Sequence, residues 1–199
     1  MNILIDELPD QVMIDGKLYD LDTDFRTAIR IIQDFEDDDL TTYEKNYLMI
    51  RRLFPVVPDN TEESLRQALK FLDGGEPISE EVESTPPMRL YSFSKDANLL
   101  YAAFRQTHGI DLQTAKLHWW QFLALFMDLG ADTTFSNLVS LRKRVKEGKA
   151  TADERMIAAE MGDAFIVPEP DTRTWEQIKE DERKQALTDE FMRLLEGSK

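Results

Sequence analysis

Apolar residues recur along this chain at helical spacing in successive blocks, separated by capping and turn residues. The first block is the exception. Val12-Met13-Ile14 and Leu18-Tyr19-Asp20-Leu21 flank Asp15-Gly16, and Asp-Gly between short apolar runs predicts a hairpin, because glycine accepts the positive φ that such turns require. Asp22-Thr23-Asp24 then supplies an N-cap for a helix carrying Phe25, Ala28, Ile29, Ile32 and Phe35 on one face. Thr41 and Glu44 have capping-box spacing, and Tyr47, Leu48, Ile50 and Phe54 continue a second helix until Pro55 and Pro58 stop it. Asn60 and Glu63 cap a third, with Leu65, Ala68, Leu69 and Leu72 on one face and Gly74-Gly75 at its end.

Residues 73–89 read as a flexible connection, since Glu, Ser, Thr and Pro dominate from Glu76 to Pro87 and offer little apolar surface to offset ordering entropy. Ser94 is placed to cap a fourth helix with Leu100, Ala103, Phe104 and Thr107 on one face, closed by Gly109. In Leu117-His118-Trp119-Trp120-Gln121-Phe122-Leu123-Ala124-Leu125-Phe126-Met127, bulky groups point in nearly every direction, which predicts a helix buried between neighbours. Trp120 is expected to be buried there and Trp119 at least in part. Gly130 ends that helix, Asp132 or Thr133 starts the next with Phe135, Leu138, Leu141 and Val145, and Gly148 closes it. Residues 152–162 are weakly helical by propensity. Beyond Pro168 and Pro170, Thr174 and Gln177 form a capping box ahead of a long helix to about Leu195.

The predicted fold class is mainly α: a helical domain with a small N-terminal β-hairpin and a long C-terminal helix. Its organisation reads as an acidic hairpin-plus-helices half (1–72), a flexible linker (73–89), an apolar helical core (90–165) and a C-terminal helical arm (171–199), the first parts forming one globular domain.

With 199 residues, 42% of them hydrophobic, the chain is able to bury a core, which excludes disorder throughout. Charge changes the picture further. The 39 acidic residues outnumber the 24 Lys and Arg, for a net charge of -15, and 21 of the acidic residues against 10 basic ones fall in residues 1–95. That balance argues against nucleic acid as a ligand, because a phosphate backbone repels carboxylates. The absence of cysteine removes disulfides, thiolate metal sites and cysteine nucleophiles together. No apolar run reaches the roughly 18 residues of a membrane span, and the first residues do not read as a signal peptide, so a soluble, intracellular protein is expected.

Candidate chemistry is sparse. Glu36 and Asp37-Asp38-Asp39 are clustered carboxylates of the kind hard cations favour, but they lack the alternating ligands and bend glycine of a calcium loop and read as a solvated turn. His108 and His118 lie ten residues apart, off the spacing of a helical zinc pair, and read as capping or core residues. Asp111 near His108 suggests a His–Asp pair without a nucleophile to serve. The basic run Arg142-Lys143-Arg144-Val145-Lys146 is open to three readings: an anion contact, a partner for the protein's own acidic half, or cations meeting a helix C-terminal dipole. Catalytic, cofactor-binding and metal-ligating residues are therefore not assigned, and the chain is expected not to be an enzyme. In the last predicted helix, the stripe Leu187, Phe191, Leu194 and Leu195 follows a segment polar all round, a pattern that fits either a partner-binding arm or a helix docked on its own domain; the partner-binding reading is adopted.

The segments Asp15-Gly16-Lys17, Thr23-Asp24-Phe25-Arg26, Tyr101-Ala102-Ala103-Phe104, Gly109-Ile110-Asp111-Leu112 and Leu117-His118-Trp119-Trp120-Gln121-Phe122 resemble the bacteriophage gene-product-fifteen family of long-tailed phages and prophages. The likeness spans residues 9–147, and its motif core is Tyr101, Phe104, Asp111, Leu117, His118, Trp119, Trp120 and Phe122. Members of that family are usually encoded just before the tape-measure gene, the position of tail-assembly chaperones. The resemblance thus implies a tail-assembly role in the cytoplasm of the infected or lysogenic host, with the tape-measure protein and the major tail protein as partners and self-association as a further expectation. It brings no catalytic residues and no cofactor. The competing reading is an acidic regulatory or nucleic-acid-mimic protein that binds a host enzyme, for which carboxylates in regular exposed rows are expected rather than clusters at helix ends.

Overall fold

The structure is a computed structural model of the chain and describes residues 2–75 and 88–167. Asp15 and Gly16 both take left-handed backbone angles, φ 50° and 76°, so a two-residue turn joins strands β1 (Gln11–Ile14) and β2 (Lys17–Asp20) in register Val12↔Tyr19 and Met13↔Leu18. Strand alternation sends Ile14, Tyr19 and Leu21 inward and leaves Met13 and Leu18 on the outer face.

Helices α1 (Phe25–Glu36), α2 (Thr42–Leu53) and α3 (Thr61–Leu72) start where their caps predict: Asp24 accepts from the Arg26 N–H, Thr41 and Glu44 close a capping box, and Asn60 accepts from the Glu63 N–H. The buried faces are turned slightly from those expected. On α3, Ser64, Ala68 and Phe71 face inward while Leu69 is exposed, because the small Ser64 and Ala68 admit neighbouring elements and Ser64 Oγ is satisfied by Asn60 O at 2.6 Å. On α2 the inward residues are Met49, Ile50 and Leu53, and Tyr47 is exposed.

Ser94 does not cap α4 (Ala97–His108). Asp96 occupies the N-cap position and turns its carboxylate away from the helix amides, while Ser92 Oγ accepts from the Ser94 and Lys95 N–H groups at 3.2 Å. A nine-residue helix, α5 (Trp119–Met127), buries only Trp119 and Phe122 fully; Trp120 is half-buried and Met127 is 81% exposed. The expectation of burial all round is thus corrected, and the two tryptophans exchange roles: a backbone bridge at His118 sets the helix rotation so that Trp119 points inward. Thr133 caps α6 (Thr134–Lys146), and a Thr151–Glu154 capping box that the propensity reading passed over starts α7 (Ala152–Met161), followed by a short 3-10 turn, Gly162–Ala164. The predicted C-terminal helix and residues 76–87 of the predicted linker lie outside the described residues.

Helix α1 packs on α2 and α5, α3 on α2 and β1, α4 on α5 and α6, and α6 on α7. A single apolar cluster runs through these layers, with Phe25, Ile31, Met49 and Phe54 from the first half and Phe104, Trp119, Phe122 and Phe135 from the second.

Candidate functional site

The motif residues converge where the first three helices meet α4 and α5. An antiparallel bridge joins Asp24 to His118: the Trp119 N–H donates to Thr23 O at 2.8 Å and the Phe25 N–H donates to Leu117 O at 3.1 Å. Two segments nearly a hundred residues apart are fixed side by side, each immediately before a helix. Arg26 reinforces the joint, its Nη2 donating to the carbonyls of Leu112, Gln113 and Ala115 at 2.7, 3.2 and 3.0 Å while Nη1 meets the Asp24 carboxylate at 3.1 Å.

His118 caps α5. The Trp120 N–H donates to its Nδ1 at 3.0 Å, so in the neutral ring the proton sits on Nε2, which donates to Pro9 O at 3.1 Å. The box is completed by the His118 N–H donating to Gln121 Oε1 at 3.0 Å. The indoles act on α3, whose last carbonyls have no partner within the helix: Trp119 Nε1 donates to Leu72 O at 2.8 Å and Trp120 Nε1 to Phe71 O at 2.7 Å. Gly75, at φ 88°, lets the chain pass the Trp120 ring, since a Cβ there would stand 2.6 Å from it. Phe122 stacks on Phe25 and Phe104 with ring centroids 4.9 Å apart in both cases, and on Trp119 at 5.5 Å.

Tyr101 and Asp111 anchor the loop after α4. The Tyr101 hydroxyl donates to Asp111 Oδ1 at 3.1 Å, a bond that raises the phenol's pKa, and the same carboxylate accepts the Gln113 N–H and faces Arg105 at 3.8 Å. Asp111 is therefore not paired with His108, which instead contacts Leu125 O through Nε2 at 2.9 Å. Phe104 is buried in the core and Leu117 packs against it. The Asp37–Asp39 run is an exposed turn in which the Asp37 carboxylate accepts the Asp39 N–H at 2.9 Å.

The basic run divides. Lys143, Arg144 and Lys146 lie in the last turn of α6, and Arg144 pairs with Glu154 at 2.8 Å. Arg142 is different, being 1% exposed and bound to Asp96 at 2.6 and 3.0 Å, so it is no external anion contact. Sequence reasoning missed this pair because the two residues stand 46 positions apart; the only local signal was an arginine on the inward side of α6. It missed Arg26 as a brace for a similar reason.

The sequence profile of a family described as Bacteriophage Gp15 protein matches residues 4–165. The chain belongs to that family. Among curated proteins and among solved structures, nothing matches it. The family match takes in every motif residue described above and ends before Leu187, Phe191, Leu194 and Leu195, which also lie outside the described residues. The motif of this phage protein thus forms a structural joint: Phe104, Trp119 and Phe122 fill the core, His118 and the two indoles bond backbone, and Tyr101 and Asp111 bond each other.

Proposed function

We propose that this phage protein is a non-enzymatic, chaperone-like tail-assembly factor, working in the host cytoplasm and binding the tape-measure protein, the tail-tube protein, or both. Family membership over residues 4–165 carries the reading, through the family's habitual place beside the tape-measure gene. Two physical features support it. The net charge of -15 disfavours self-association while partners are being assembled, and both histidines are engaged in backbone contacts rather than poised beside a nucleophile. Co-expression with the downstream tape-measure protein is the test: the two should co-purify, and phage lacking this gene should produce heads without tails. Normal tails from the deletion phage would overturn the reading.

A further inference from the structure

Among the described residues, the outer face of the hairpin carries exposed apolar side chains. Met13 and Leu18 face each other across the strands and are 54% and 56% exposed. A second apolar pair lies alongside. The Asp22 N–H donates to Leu53 O at 2.8 Å and Asn60 Nδ2 donates to Asp15 Oδ2 at 2.9 Å, so the seven-residue steps from Asp15 to Asp22 and from Leu53 to Asn60 are tethered at both ends, antiparallel. Val56 and Val57 lie in the second of these steps and are 67% and 38% exposed. Exposed apolar patches with a polar rim mark interaction sites. The rim here is acidic: Asp15, Asp20 and Asp59 are exposed, whereas Lys17, the cation within the hairpin, lies 4.8 Å over the Tyr19 ring on the hairpin's other face.

We propose that Met13, Leu18, Val56 and Val57 form a docking surface for an amphipathic segment of another protein, apolar at its centre and flanked by lysine or arginine. Charge selects this occupant. A second copy would set carboxylates against carboxylates, and an anionic lipid surface would be repelled in the same way. The inference deepens the assembly-factor reading and rests on it for the partner's identity, not for the surface.

The test uses the full chain and a labelled synthetic leucine–lysine amphipathic peptide, followed by fluorescence anisotropy. Leu18→Ser combined with Val57→Ser leaves the net charge unchanged and should weaken binding about tenfold, because the apolar centre of such a surface carries most of the affinity. Met127→Ser, on an exposed side chain at the end of α5, should leave binding unchanged. Asp20→Asn with Asp59→Asn should also weaken it and flatten its salt dependence. Val56→Ser replaces Leu18→Ser if melting shows the latter to be destabilised. Parent-like binding by the double serine variant, or equal weakening by Met127→Ser, overturns the proposal, as does a dimer in sedimentation that the serine changes abolish. If the peptide results hold while the tape-measure protein fails to co-purify, the docking surface stands and the assembly reading falls.

Discussion

Arg142 directs all five of its N–H donors to acceptors: Nε to Phe165 O, Nη1 to Leu90 O and Asp96, and Nη2 to Asp96 and Ala164 O. One side chain thereby ties α6 to the approach to α4 and to the turn after α7. Removing one partner of a buried ion pair costs about 3–5 kcal/mol, since the other charge is left uncompensated, so Arg142→Met should lower stability by that amount in denaturant melts. The double change Asp96→Leu with Arg142→Met should recover only part of the loss, because three backbone carbonyls still lack their donor; full recovery would show that those carbonyls are satisfied some other way. The indoles make a second test at this scale. Trp119, 2% exposed and stacked on Phe122, should cost about 3–5 kcal/mol when replaced by alanine, and the half-buried Trp120 less. Equal losses in parallel urea melts would contradict the assigned rotation of α5.

At the scale of elements, caps decide where helices begin and electrostatics decide over what pH range the caps hold. Glu44 and Glu154 each accept the backbone N–H of a capping threonine, a bond that lowers their pKa below the ordinary carboxylate range; Arg144 adds to the effect at Glu154. A carboxyl whose folded pKa is depressed stabilises the fold above its unfolded pKa and loses that contribution as pH falls through the folded one. Both boxes should therefore fray below the ordinary carboxylate range, and the side-chain titration of Glu154 followed by NMR should show a lowered midpoint. An ordinary midpoint would mean the box is open in solution. Such local devices are also what the sequence made legible: Thr41 and Asn60 were readable as caps, and Asp24 and Thr133 as members of a short capping segment, because each acts within a few residues of itself. Ser94 misled because its rival, Asp96, is set by Arg142 across 46 positions. The Trp119–Trp120 exchange was illegible for a like reason: periodicity gives the angle between two side chains, whereas the bridge from Asp24 to His118 gives the absolute rotation. The motif residues of the candidate site were readable as a set, but their joining of α1, α3 and α5 was not.

At the scale of the whole molecule, the acidic and apolar halves read from composition share one core, to which the first contributes Phe25 and the second Phe104 and Phe122. Among the described residues, every buried side-chain nitrogen or oxygen has a partner. The last of them are held firmly: Val167 is buried, and Arg142 and Lys95 bind the carbonyls of Ala164, Phe165 and Ile166. The family match likewise ends at residue 165. A chain truncated after Pro170 should therefore keep its melting temperature within about 2 °C of the parent, the shift of a change worth less than about 0.5 kcal/mol in a domain of this size. The same truncation removes Leu187, Phe191, Leu194 and Leu195, whose apolar side chains, when a partner buries them, contribute a few kcal/mol to a complex at about 25 cal/mol per Å² before association costs. Co-purification with the tape-measure protein should then weaken while the body stays folded. A fall of many degrees on truncation would mean that the segment completes the core. A folded body that binds as well as the parent would move the binding surface into residues 1–170, where the face around Leu18 and Val57 is the one to mutate next.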